Sequence, residues 1–257
     1  MGLSESGMSE SGSSGGCCHP VWPVTGRGMN GPNLYMGPAL YPLEADGIRK
    51  YFGNINLLRD IYLKIEPCAV TALMGRNGVG KSTLMKIVYG TEKAEGVSVR
   101  YGGKYVSHPY QKRGFMRYLP QHPFLPDDLK IIRLLSLYEV RREILEPFFP
   151  DLEELLHKKV GYLSTGQRRM LETTLLLASP VKFVLLDEPF SGLAPLHIEH
   201  MKELIVEESA RKGILISDHS FQYVLEISDY GYLLRSDGVL LPVTDIPGDL
   251  RKWGYLP

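Results

Sequence analysis

Cysteine is scarce in this chain of 257 residues: there are three, two of them adjacent as Cys17 and Cys18. That supply builds neither a disulfide framework nor a four-ligand zinc site. Cys68 precedes an apolar run and reads as packing rather than chemistry. Long hydrophobic runs are missing as well. The apolar stretches at 69–74 and 183–187 fall far short of the about 20 residues that cross a bilayer. No charged-then-apolar pattern of a secretory signal stands near the start, so a cytosolic protein is expected. Net charge is absent too, since 29 basic and 29 acidic side chains cancel to +0. A protein held by many phosphate contacts along DNA or RNA would be basic, and nucleic acid is not an expected partner. What is present is 44% hydrophobic content, enough for one substantial core and a small attached subdomain.

Residues 1–43 are rich in Gly, Ser and Pro without periodicity, and are expected to form a disordered leader. Two alternatives stay open: a later translational start at Met29 or Met36, and a tail that folds along a partner. From residue 44 the texture changes. EADGIRKYFG and LLRDIYLKIE alternate apolar and polar residues as strands do, and AVTALM (69–74) is a buried-strand run. Further strands are expected at 97–99, 115–119, 182–187, 214–217 and 229–234. Helices are expected after Lys81, stopping at Gly90, and at 165–177, 196–211 and 220–227. Residues 130–158 hold most of the remaining helical signal, within a helical insertion at about 125–178. Strands alternating with helices predict an α/β fold with a mostly parallel sheet.

Residues 75–82, Gly-Arg-Asn-Gly-Val-Gly-Lys-Ser, match G-x-x-x-x-G-K-[ST] between a strand and a helix. Glycines let the backbone curl around phosphate oxygens, while successive N–H groups and the helix N-terminus donate to them. Lys81 is placed to reach the β- and γ-phosphates, and the Ser82 hydroxyl to hold Mg²⁺. Asn77, Gly78, Gly80 and Thr83 complete the expected phosphate-binding set. Phe183-Val184-Leu185-Leu186-Asp187-Glu188 delivers a second half of the site. Asp187, at the C-terminal end of an apolar strand, is expected to hold the metal, and Glu188 to orient or deprotonate the attacking water. A solvated acidic turn is the plainer alternative for that pair.

With these two motifs in place, others fall into line. Leu163-Ser164-Thr165-Gly166-Gln167, with Ser164 lying 23 positions before Asp187, resembles the LSGGQ signature of ABC-transporter ATPases. Gln121 in Tyr-Leu-Pro-Gln resembles the Q-loop, Ser191-Gly192-Leu193-Ala194 the D-loop, and His219 in Ile-Ser-Asp-His the switch histidine. Phe52 fits the aromatic that stacks on adenine, with Tyr51 close enough to compete. The resemblance covers roughly 44–240. It implies a P-loop NTPase of the ABC nucleotide-binding type, with a mostly parallel sheet, an antiparallel β subdomain and a helical subdomain.

It also implies ATP and Mg²⁺ as ligands and ATP hydrolysis as the reaction. Each nucleotide would be gripped by the phosphate loop of one copy and by Ser164, Gly166 and Gln167 of a second, so a homodimer is implied. Catalysis would fall to Glu188, His219 and Gln121, and the metal to Ser82, Gln121 and Asp187. Separate transmembrane permease subunits would be the partners, placing the chain on the cytoplasmic face of the inner membrane. Residues 122–145 would dock them, with Phe124, Leu125 and Leu135 exposed or partly so. Among the family's branches, lipopolysaccharide-export and branched-chain amino-acid ATPases look most similar. An alternative is a non-transport member such as an iron–sulfur assembly ATPase. Three departures stand out. Thr165 replaces a signature glycine, Ala194 replaces the D-loop aspartate, and the polar run after the signature suggests that Glu172 faces solvent or a partner.

Overall fold

The computed structural model describes residues 38–53 and 55–243, within the compact unit Asn33–Pro257. The expected leader lies mostly outside the described residues. Of its last residues, Ala39 is buried and donates its N–H to the Arg211 carbonyl at 3.1 Å. In chain order the strands are β1 Leu43–Phe52, β2 Ile55–Ile65, β3 Ala69–Met74, β4 Gly96–Tyr101, β5 Lys104–Tyr105, β6 Met116–Leu119, β7 Phe183–Asp187, β8 Gly213–Ser217, β9 Tyr230–Leu234 and β10 Leu240–Val243. The helices are α1 Lys81–Tyr89, α2 Ile131–Tyr138, α3 Leu152–Leu156, α4 Thr165–Ala178, α5 Pro195–Ser209 and α6 Phe221–Glu226.

Among the described residues the strands form two sheets. An antiparallel one runs β2-β1-β4-β5, and a larger one runs β10-β9-β3-β8-β7-β6, parallel except for β10. The short apolar runs at the centre of the larger sheet are buried on both faces, as parallel strands require. Period-2 alternation divides them between two cores. Val184 and Leu186 of β7, Ile214 and Ile216 of β8, and Val70 and Ala72 of β3 pack with α4 and α5. Phe183 and Leu185, Leu215, and Leu73 point the other way, toward α1 and the antiparallel sheet. In β1 the buried positions go from Leu43 and Ala45 to Ile48, skipping a beat where the register against β2 shifts.

The antiparallel and parallel sheets both match the expected fold class. Within 130–158 the helical signal breaks into α2, a 3₁₀ turn at Arg142–Leu145 and α3. Glu139 turns left-handed at the end of α2 (φ 57°), and Pro147 and Pro150 deny later turns their N–H donors. Two strands escaped the sequence reading. β5 is only two residues long, and β10 carries Pro242, which an edge strand tolerates. Three expectations about exposure are corrected: Leu125 and Leu135 are buried in the core, and Glu172 is fully buried. Phe124 is half-buried against the same core, in keeping with the partial exposure expected of it; the apolar residues that α2 leaves to solvent are Ile132 and Leu137. Cys68 is half-buried in the β2–β3 turn, its Sγ 3.7 Å from the Ala39 carbonyl.

Candidate functional site

The C-terminal ends of β3, β7 and β8 lie side by side, and each releases one of the predicted motifs. Asp187 and Ser217 are register partners at the last rung of β7 and β8. β3 passes into the loop 75–80, which closes on Gly80 in the left-handed region (φ 107°) before α1 begins at Lys81. Gly75 sits at φ 151°, where an added Cβ would stand 2.5 Å from the Leu234 carbonyl, so only glycine lets the loop turn this close to β9. Asn77 and Gly78 are exposed, and Ser82 and Thr83 are half-buried in the first turn of α1.

The Lys81 ammonium donates to the carbonyls of Gly75 and Arg76 at 2.8 and 3.1 Å, folding over its own loop. Burial pushes its pKa down, while Asp187, Glu188 and Asp218 pull it back up. Asp187 is buried, and that burial raises its carboxyl above the usual range. Hydrogen bonds from the hydroxyls of Ser82 and Tyr118 oppose the rise, the latter at 3.0 Å to Oδ2. Burial in turn keeps the Tyr118 phenol protonated far above its ordinary range.

Glu188 adopts φ 56°, a conformation that costs a non-glycine residue of order 1–3 kcal/mol and persists only where its surroundings impose it. Its N–H donates to the Ser217 carbonyl at 2.7 Å, and its own carbonyl accepts from the Arg169 guanidinium. The carboxylate is thereby turned out toward two predicted partners. Gln121 Nε2 donates to Glu188 Oε1 at 3.1 Å, and His219 Nδ1 stands 3.7 Å from Oε2, longer than a hydrogen bond. Asp218 ties this corner together by accepting from the N–H groups of Phe190 (3.0 Å) and Ser220 (2.9 Å).

Lys81, Ser82, Asp187, Glu188, Gln121 and His219 thus gather around one spot. The signature residues do not join them. Ser164 is the N-cap of α4 and forms a reciprocal box with Gln167: Gln167 N donates to Ser164 Oγ at 3.2 Å and Ser164 N to Gln167 Oε1 at 3.0 Å. Gly166 lies against the Gly192 carbonyl, where a Cβ would stand at 2.8 Å. No hydrogen bond or ion pair among the described residues links 164–167 to the loop 75–80. Phe52, at the end of β1, is exposed, with the Lys50 ammonium 5.0 Å from its ring centre. Sequence reading missed Tyr118, Arg169, Glu172 and Asp218. Tyr118 and Asp218 sat within quoted motifs, whereas nothing in the sequence marked Arg169 and Glu172 as interior.

The donor set suits a small hard cation. Ser82 and Asp187 present oxygen ligands that already hydrogen-bond each other. No group of three His, Cys, Asp or Glu side chains that could by itself hold a metal ion occurs among the described residues.

A family model described as "ABC transporter" matches residues 58–191, slightly more than half of the chain. The chain is 29% identical over 213 residues to the high-affinity branched-chain amino acid transport ATP-binding protein BraG of Pseudomonas aeruginosa, covering 77% of this chain and 91% of that one. It is 27% identical over 216 residues to the lipopolysaccharide export system ATP-binding protein LptB of Haemophilus influenzae, covering 77% and 88%. A solved ATP-binding subunit of an ABC transporter superposes with a TM-score of 0.72 at 26% identity, over 83% of this chain and 93% of the other. This chain therefore belongs to the ABC transporter family, as one of its ATP-binding cassettes.

Proposed function

We propose that the chain hydrolyses ATP to ADP and phosphate with Mg²⁺, working as a pair of copies that drives a separate membrane transport protein. The observation that carries the reading is the Glu188 carboxylate, held in a strained backbone turn with Gln121 on one oxygen and His219 beside the other, at the mouth of the Lys81 loop. In this reading the loop amides of 75–80 and Lys81 hold the β- and γ-phosphates, Lys81 exchanging its present carbonyl partners for phosphate oxygens. Ser82, Asp187 and Gln121 hold Mg²⁺, which when bound neutralises charge on the transferred phosphoryl group. Glu188 orients the water and accepts its proton, His219 contacts the γ-phosphate, and Phe52 offers its exposed ring to adenine.

Ser164, Gly166 and Gln167 stand apart from their own loop, which supports assigning them to the nucleotide of a second copy. The capping box leaves the Ser164 hydroxyl proton available, and the N-terminus of α4 favours negative charge. No helix among the described residues is long and apolar enough to cross a membrane; the membrane passage is assigned in this reading to a partner. The relatives named for branched-chain amino-acid transport and lipopolysaccharide export support that role and a peripheral place at the membrane. Ile132 and Leu137, exposed on α2, which follows the Gln121 segment in the chain, are the apolar side chains best placed to meet such a partner.

Glu188→Gln tests the reading. Turnover is expected to fall by roughly two to four orders of magnitude, the usual worth of a general base, while ATP and Mg²⁺ now trap the chain as pairs in size-exclusion chromatography. Turnover at the wild-type rate removes Glu188 from its assigned role. Co-purification of the tagged chain from membranes, with mass spectrometry of what stays bound, tests the partner: recovery of no membrane protein would remove it.

A further inference from the structure

The interior face of α4 carries two charges one turn apart, Arg169 and Glu172, in a helix otherwise packed in the apolar core. Charges are buried this deeply only where fixed partners replace water. Here those partners are backbone groups of the two loops that carry the candidate catalytic side chains. Arg169 donates Nη1 to the Pro120 carbonyl at 2.7 Å, Nε and Nη2 to the Glu188 carbonyl at 3.1 and 2.8 Å, and Nη2 also to the Asp187 carbonyl. Glu172 Oε1 accepts the N–H of Phe124 at 3.0 Å and of Leu125 at 3.2 Å. Arg168 joins from the same turn, donating to Glu172 Oε1 at 3.3 Å, to Asp127 at 2.5 Å and to the Leu125 carbonyl.

The segment 120–125 is therefore pinned at both ends, by Arg169 at Pro120 and by Glu172 at Phe124 and Leu125, with Gln121 between the pins. The same guanidinium holds the turn that aims Glu188. We propose that Arg169 and Glu172 are positioning residues: they set Gln121 against Glu188, and they tie both to the helix whose N-terminus carries Ser164. A shift of α4 that follows engagement of Ser164 pulls on the Pro120, Asp187 and Glu188 carbonyls together, because one planar five-donor group binds all three. The proposal rests on the reading that Gln121 and Glu188 handle the attacking water.

Arg169→Lys keeps the charge but gathers every donor on one nitrogen, which cannot reproduce the spread of Nε, Nη1 and Nη2 across the Pro120, Asp187 and Glu188 carbonyls. Turnover is expected to fall at least about tenfold, while the affinity for a fluorescent ATP analogue stays within about twofold, since no phosphate-binding group is touched. Glu172→Gln keeps an oxygen acceptor for both amides and is expected to lose less. Glu172→Leu removes the acceptor. In the nucleotide-free protein, hydrogen–deuterium exchange should then quicken at least about tenfold at Phe124 and Leu125, while α1 and α5 keep wild-type rates. Unchanged exchange at those two amides overturns the brace whatever Glu188 does. Exchange that quickens while turnover and pH profile stay at wild-type values overturns the positioning role. An Arg169→Lys variant that loses turnover and nucleotide affinity in equal measure shows a merely structural residue. Loss of turnover in Glu188→Gln with these variants unaffected leaves the catalytic reading intact and sinks this one.

Discussion

Lys212 sets up a stability test with a definite sign. It lies at the turn into β8, almost wholly buried, with its ammonium 2.7 Å from Glu208 Oε2, 2.8 Å from the Ser179 carbonyl and also on the Leu177 carbonyl. Burial outweighs the Glu208 attraction and pushes the pKa from 10.5 to about 8. Below pH 8 the folded and unfolded chains both hold the proton, and the buried charge is a standing cost. Between pH 8 and 10.5 the folded chain releases the proton while the unfolded chain keeps it, so stability rises with pH across that window. The depression corresponds to roughly 3 kcal/mol when complete. Tyr62 acts in the opposite sense as the unfolded phenol ionises from about pH 9 upward, its exposed phenol in the folded chain being raised to about 12 by partial desolvation and by donating to Glu44. Lys212→Met keeps the length of the stem and removes the titration. Urea unfolding of both proteins from pH 7.5 to 10 should show the wild type gaining on the variant by roughly 2–3 kcal/mol, groups common to both cancelling in the difference. Parallel stability curves would refute the reasoning. They would mean that Glu208 and the two carbonyls hold the proton as firmly as water does.

Other outcomes follow from particular contacts. In Gly166→Ala the new methyl stands 2.8 Å from the Gly192 carbonyl, so the signature turn and loop 191–194 must part by a few tenths of an ångström; turnover should fall by about tenfold in a steady-state phosphate-release assay, and an unchanged rate would show that the loop yields freely. Tyr118→Phe removes the donor to Asp187 Oδ2, and urea unfolding of the nucleotide-free protein should register a loss of about 1.5–3 kcal/mol, an unchanged midpoint meaning that water replaces the phenol. Leu175→Ala empties a fully buried site on the core face of α4 and should cost about 2–5 kcal/mol by the same measurement, with a cost below 1 kcal/mol showing that the core collapses around it.

The parts of the fold that could be read in advance are those whose requirements are local. β3, β7 and β8 are short runs with no polar face because a sheet covered on both sides leaves no face for water. The Lys81 loop is legible because left-handed turns, close backbone approach and a helix start all demand particular residues within a few positions. Gly90 could be named as a stop since its left-handed geometry (φ 97°) is one that glycine adopts without strain. By contrast β5 and β10 owe their existence to a neighbouring strand, and two to four residues hold too little pattern to announce a neighbour.

The site divides along the same line. Motif spacing singled out Asp187, Glu188, Gln121 and His219 one by one as candidates, but their meeting depends on β6, β7 and β8 ending at the same level, which is a property of sheet register. Arg169 and Glu172 show why polarity misled at α4. The rule that charged residues face water rests on the cost of stripping hydration, and it fails wherever backbone groups take over the role of water. The carbonyls of Pro120 and Glu188 and the amides of Phe124 and Leu125 belong to two irregular loops outside the sheet ladder, and the Asp187 carbonyl lies at the last rung of β7. Such loops, brought inside to form a site, need an interior source of donors and acceptors, and a buried helix can supply it only through charged or polar side chains at helical spacing. An Arg–Glu pair at i and i+3 on a helix otherwise apolar on that face is therefore what a buried catalytic loop asks of its neighbour, and it is legible only once the loop's unpaired backbone groups have been counted.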